Sequence, residues 1–298
     1  MRLRRATIIY NPKSGRERRR ERSVDQMIRL LELRGITSDA QRTSGPGSAG
    51  GLATDAAKRS EVIIGYGGDG TLNEIIQGMA RGAAVLAVWP GGTANVAAHE
   101  LKMPRKLDKL ADVIAAGKTQ GISLGLATQS GSNEPGRYFL MFAGIGLDAS
   151  ICRGVDPELK GRTGQFAFVV SGLKHLIRWQ PDRFRVEIDG KAFDSQFTLV
   201  ANGRSYGGGI EMARNARLED PCFEVFIVPH NRGRAGLVWD LLVCQLGHRG
   251  KSSATVLKAR RVEANQDSGA WVEADGEVLS ALPMEFSIVP NALQVIVP

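Results

Sequence analysis

The chain has 298 residues, 43% of them hydrophobic and 23% charged. These are ordinary globular values that exclude a disordered chain, and the length exceeds one usual hydrophobic core, so two domains are expected. The formal net charge of +8 is carried by residues 1–60, where 14 Lys and Arg face 6 Asp and Glu. A basic edge attracts nucleic acid, anionic lipid or polyphosphate, unless it is a solvated helix face, as Arg16 to Arg22 can be read.

In chain order, the first 120 residues alternate short apolar runs with helical patterns. Strands are predicted over Ala6–Tyr10, Val62–Gly65 and Val85–Trp89, and helices over Arg18–Arg34, Leu52–Arg59, Leu72–Ala80 and Leu107–Ala116. That rhythm indicates βαβ units and a parallel sheet, whose ligands bind at loops after the carboxyl ends of the strands.

From about residue 122 strands dominate: Ile122–Ala127, Tyr138–Ala143, Phe184–Ile188, Gln196–Ala201, Phe223–Val228, Ser253–Ala259, Ala270–Glu273, Met284–Ile288 and Leu293–Val297. Two helices interrupt them, Gln165–Ile177 and Gly233–Gln245. The expected fold class is α/β: an N-terminal three-layer parallel-sheet domain over 1–121 and a β-rich sandwich over 122–298. The last strand is expected to pack back toward the first domain.

Cys152, Cys222 and Cys244 lie far apart without C-x-x-C spacing, and no signal-peptide pattern opens the chain, so a cytoplasmic location is expected. No apolar run reaches the roughly 18 residues of a membrane span. A lipid substrate would therefore be met peripherally, at the membrane surface.

Chemistry concentrates in the glycine loops. Residues 65–70 read Gly-Tyr-Gly-Gly-Asp-Gly between a strand and a helix. Backbone N–H groups and a helix dipole there converge on one point, which suits phosphate, and glycine lets the anion approach the backbone closely. The stretch after the next strand, Pro90-Gly-Gly-Thr-Ala-Asn95, repeats the pattern, and the first strand ends in Asn11-Pro-Lys-Ser-Gly15. Gly65, Gly67 and Gly70 satisfy G-x-G-x-x-G, but no acidic residue follows at the end of the next strand, and no Walker A Gly-Lys-Ser/Thr is present. Asp69, between glycines, is placed to face the phosphates or their Mg²⁺. Glu74 reads as the partner of Thr71 in a capping box. Asp275-Gly276 and Asp189-Gly190 both read as hairpin turns, and spacing does not say whether either is catalytic.

These loops occur in order with Phe142-Ala-Gly-Ile-Gly-Leu-Asp148, Asn202-Gly-Arg-Ser-Tyr-Gly-Gly-Gly209 and Asp275-Gly-Glu277. The set resembles the diacylglycerol kinase catalytic-domain family, which includes bacterial lipid kinases and sphingosine and ceramide kinases. The resemblance implies a first domain like those of NAD kinase and phosphofructokinase, then a β-rich lipid-acceptor domain. It implies an ATP-dependent lipid kinase, with Mg²⁺, that phosphorylates a diacylglycerol-like or sphingoid hydroxyl. Nucleic acid is not an expected partner, and oligomeric state is left open, a homodimer among the options.

Carried over by position, the resemblance puts ATP on Asn11, Pro12, Lys13, Ser14, Gly15, Thr43, Gly67, Gly68, Asp69, Gly70, Thr71, Leu72, Asn73 and Thr93. It makes Asp275 and Glu277 the candidates for the base that takes the lipid hydroxyl's proton. It also implies a structural Mg²⁺ on Asp220 and the carbonyls of Arg217 and Cys222, although Pro221 stands where relatives have glycine. Arg214 replaces a family Pro, Val96 follows Asn95 where Asp is common, and Ser123 stands near a family Asp. A kinase of a small soluble acceptor, as in NAD kinase, and a non-catalytic nucleotide sensor are the alternatives.

Overall fold

A computed structural model describes residues 3–13, 17–154, 181–207, 210–246, 252–266 and 269–298. The chain divides into two compact units, one of residues 1–123 with 291–298 and the other of residues 124–290.

The first unit is built on β1 (Arg5–Tyr10), α1 (Glu17–Glu32), β2 (Thr37–Arg42), α2 (Ser48–Ala57), β3 (Val62–Gly67) and α3 (Asp69–Met79). It continues through β4 (Val85–Pro90), α4 (Val96–Glu100) and α5 (Leu107–Ala116). The strands run parallel in the order β2-β1-β3-β4. Beyond β4 the sheet is continued by residues 294–295 of the last strand. Ala6, Ile8, Ile9, Ile63 and Ile64 are fully buried, because helices cover both faces; α1 packs on α5, and α2 on α3. Central parallel strands therefore read as unbroken apolar runs. The polar Thr37–Arg42 stretch, not expected as a strand, is the sheet edge. There Asp39 accepts a hydrogen bond from the Thr7 hydroxyl at 2.8 Å.

The capping box is a correction. Helix α3 starts at Asp69, so Thr71 already lies inside it, and its N-cap, Gly68, has no side chain to offer. Glu74 instead accepts the N–H groups of Gly47 at 2.8 Å and Ala49 at 3.0 Å, capping α2. It ties the two helices of one layer together.

The second unit takes up β5 (Thr119–Gln129) from its sixth residue on. It comprises β6 (Arg137–Phe139), β7 (Phe142–Ile145), α6 (Leu147–Gly154), β8 (Phe184–Ile188), β9 (Lys191–Ala201), β10 (Ser205–Gly207) and β11 (Ile210–Glu211). Then come β12 (Phe223–Pro229), α7 (Gly233–Gln245), β13 (Thr255–Ala259), β14 (Arg261–Gln266), β15 (Trp271–Ala274), β16 (Glu277–Ala281) and β17 (Met284–Ile296). Its ladders are antiparallel, ordered β16-β15-β7-β9-β8-β14-β17, with β12 on β9 and β13. Strands β9 and β12 are buried on both faces. Val200, Phe223 and Val225 join a core with Phe139, Phe184 and Phe286, while Phe197, Leu199 and Phe226 face another with Leu237 of α7. The helix expected over Gln165–Ile177 lies outside the described residues. No helix among the described residues is long and apolar enough to cross a membrane.

Candidate active site

The order β2-β1-β3 means that the chain adds strands first on one side of β1 and then on the other, and an open α/β sheet has its crevice at such a switch. The loops after β1, β3 and β4 meet at this edge and are joined backbone to backbone. Asn11 N–H donates to the Tyr66 carbonyl at 3.2 Å, and Gly91 N–H to the Gly67 carbonyl at 2.9 Å. A Cβ on Gly92 would sit 2.5 Å from the Gly68 Cα. One on Gly67 would sit 2.7 Å from the Thr71 Cβ. The glycines are therefore needed for loop-on-loop contact, and the result is one continuous backbone surface. The Asn95 side chain closes it by bonding both N–H (2.7 Å) and carbonyl (2.8 Å) of Gly92.

Among the nucleotide candidates, Gly67, Gly68, Gly70, Thr71 and Thr93 line this edge with accessible surface. Lys13 is exposed, and its N–H donates to the Asn11 side chain at 2.9 Å, fixing the turn after β1. Pro12 and Thr43 are buried, the Thr43 N–H donating to the Tyr10 carbonyl at 2.9 Å. Leu72 and Asn73, inside α3, are buried. Ser14 and Gly15 lie outside the described residues.

The Asp69 carboxylate takes the backbone N–H groups of Asn95, Val96 and Ala97, at the start of α4; burial pushes its pKa up and these bonds pull it back. It fastens the loop after β3 to the loop after β4.

Sequence reasoning missed Arg20. It was read within a solvated run, yet it is 5% exposed. Its place was legible, since Arg20, Val24, Met27 and Leu31 share the buried stripe of α1. One Nη donates to the Gly91 carbonyl at 2.6 Å and the other to the Tyr66 carbonyl at 3.4 Å. The guanidinium lies 4.1 Å from the Tyr66 ring centroid, and Tyr66 stacks on Trp89 at 3.7 Å.

In the second unit, Asp275 and Gly276 form the β15–β16 turn with φ of 48° and 84°. The Asp275 carboxylate accepts three backbone N–H groups, from Leu140 (2.6 Å), Met141 (2.9 Å) and Phe142 (3.2 Å). This is why the strand expected over Tyr138–Ala143 is two: the N–H groups at its break turn to Asp275 rather than to a neighbouring strand. Glu277 pairs with Arg137. Glu273, almost fully buried, accepts the Gly276 N–H at 2.8 Å and holds the turn from its other side.

Asp148, the last residue of the Phe142–Asp148 motif, is buried in α6. Tyr206 donates its hydroxyl to one carboxylate oxygen; the other has no partner and, with a Glu273 oxygen, faces the Cα of Gly144. Burial pushes the Asp148 pKa up to about 7, against the pull of the Tyr206 hydrogen bond. The folded state then holds a proton that the unfolded chain, titrating near 3.9, has released. Stability should fall as pH rises from about 4 to about 7 and level off above. Asp148→Asn should flatten that dependence, by up to about 1.4 kcal/mol per pH unit, because the amide does not titrate. Urea titrations of both proteins across this range check it; parallel curves would clear Asp148 of the effect.

The candidate metal ligands sit in one turn, where the Arg217 carbonyl accepts the Asp220 N–H at 2.9 Å. Lys258 Nζ lies 3.4 Å from the Asp220 carboxylate. Lys258 is largely exposed, so the pair is a weak surface contact. A Mg²⁺ held by Asp220 with the carbonyls of Arg217 and Cys222 stays a proposal.

The chain thus joins a parallel-sheet unit with fused glycine loops to a β-rich unit with a carboxylate turn. Residues 5–127 match the diacylglycerol kinase catalytic domain, and residues 142–297 match the YegS C-terminal NAD kinase beta sandwich-like domain. The chain is 32% identical to a diacylglycerol kinase of Bacillus subtilis (strain 168), over 99% of this chain and 97% of that one. It is 29% identical to a diacylglycerol kinase of Staphylococcus aureus (strain MRSA252), over 99% and 92%. A solved diacylglycerol kinase from Bacillus anthracis str. Sterne has the same fold, with a TM-score of 0.75 and 22% identity, over 100% of this chain and 98% of that one. The chain belongs to the diacylglycerol kinase catalytic-domain family. It is a lipid kinase, an enzyme that transfers phosphate to an alcohol.

Proposed function

We propose that this enzyme transfers the γ-phosphoryl group of ATP to the hydroxyl of a diacylglycerol-like or sphingoid lipid presented at a membrane surface. The observation that carries the reading is the fused glycine edge, where the Gly68–Gly92 contact leaves backbone alone to meet the phosphates. Asn11, Lys13, Thr43, Gly67 to Asn73 and Thr93 are assigned to ATP, with Ser14 and Gly15 completing the loop after β1. Mg²⁺ is assigned to the nucleotide's phosphate oxygens, with Asp69 placed to face it; when bound it would offset their charge.

Asp275 is assigned as the base. Its three N–H partners fix the carboxylate in one orientation. A positioned acceptor of this kind takes the hydroxyl proton as the new O–P bond forms and the bond to the ADP oxygen breaks. Glu277, paired to Arg137, is assigned to orient the acceptor.

The test incubates the purified full chain with ATP and Mg²⁺ and a panel of lipids in anionic vesicles. ADP release and lipid mass are the readouts. ADP should appear only with a lipid acceptor, which should gain one phosphate. ADP release driven by NAD instead would indicate a soluble acceptor, and nucleotide binding without turnover a sensor.

A further inference from the structure

A buried guanidinium is costly unless an anion compensates it. Among the described residues no carboxylate pairs with Arg20; its partners are two neutral carbonyls and one aromatic face. The carbonyls belong to the end of β3 (Tyr66) and to the first residue after β4 (Gly91), where the glycine loops begin. The Tyr66 carbonyl also receives Asn11 N–H, so one guanidinium reaches all three loops of the edge. Gly91 is glycine for this reason: a Cβ there would stand 2.7 Å from an Arg20 Nη and 2.7 Å from the Tyr66 ring. Neither glycine loop carries the lysine by which a Walker A loop neutralises its nucleotide.

We infer that Arg20 is the fixed cation of the nucleotide edge, a positioning residue that braces the three loops and gives them affinity for polyphosphate. This rests on the ATP assignment above. The incoming phosphates supply a counter-charge that no carboxylate among the described residues gives Arg20. Its influence falls on nucleotide affinity, with little on the chemical step.

ATP titration calorimetry and steady-state kinetics on the full chain test this with Arg20→Met, Arg20→Lys and Gly91→Ala. Arg20→Met should weaken ATP binding about ten- to hundredfold, the scale of one charge acting over several ångströms in a partly polar medium. KM for ATP should rise in step while kcat changes less. Binding by the parent should weaken with added salt more steeply than binding by Arg20→Met, a difference that lost packing alone does not produce. Arg20→Lys keeps the charge but cannot fork to two carbonyls, and should fall between. Gly91→Ala keeps Arg20 but displaces it, and should weaken ATP as well. Unchanged ATP affinity and salt slope in folded Arg20→Met overturn the inference; if that variant does not fold, parent-like affinity in both Arg20→Lys and Gly91→Ala does so. A parent chain that binds no ATP overturns the nucleotide assignment itself, which separates the two failures.

Discussion

Asp275→Asn is expected to cut turnover by about 10²- to 10⁴-fold, the usual cost of removing a general base. It should also lower the melting temperature. The amide presents an N–H to backbone N–H groups that now meet only carboxylate oxygens, so at least one charge-assisted bond is lost, worth about 1.5–3 kcal/mol. The backbone is not at fault, because asparagine tolerates the left-handed φ of 48°. Asp189 is a near twin, with φ of 50° followed by Gly190 at 74°, and its exposed carboxylate holds no partner among the described residues. Asp189→Asn should therefore leave activity and melting temperature as they are. Glu277→Gln weakens the pair with Arg137 and should cost less turnover than Asp275→Asn. Steady-state kinetics and thermal melts on the three variants decide it. Turnover in Asp275→Asn equal to that of the Asp189 control would remove Asp275 as the base.

The twin turns also mark what the sequence could not carry. Both are Asp-Gly between apolar runs, and only the N–H groups at a strand break more than 130 residues away distinguish Asp275. Local pattern was sufficient for β1, β3 and β4, since strands covered on both faces are nearly continuous apolar runs. It failed at β2, whose polar residues fit an edge and carry no periodicity. It failed again at Glu74, where Thr-x-x-Glu has the spacing of a capping box, but a glycine N-cap lets the helix start earlier and frees the glutamate for α2. Arg20 is intermediate. Its helical phase with Val24 and Met27 was readable, yet a run of arginines suggested solvent, and its carbonyl partners come from loops 46 and 71 residues away.

Gly92→Ala should be the most damaging single methyl group in the nucleotide edge. The residue has an ordinary φ, so alanine is conformationally allowed and the whole effect is steric. The new Cβ would lie 2.5 Å from the Gly68 Cα and 3.3 Å from the Gly68 nitrogen. Both are backbone atoms, so no rotamer change relieves the contact, and the loops after β3 and β4 must part. Parting them strains the Gly91–Gly67 hydrogen bond and the Asn95 clamp together. Overpacking of this kind costs about 1–3 kcal/mol, and a shift of about 1 Å in a phosphate-positioning surface can cost about 10²-fold in rate. ATP affinity and kcat should both fall. Gly51→Ala is the control, because nothing lies within 4 Å of its Cβ and it sits in α2, where alanine is the better helix former. That control should be neutral or slightly stabilising. Calorimetry of ATP binding beside differential scanning measurements separates the two effects. Parent-like ATP affinity in folded Gly92→Ala would show that contact between the glycine loops is not what forms the nucleotide site.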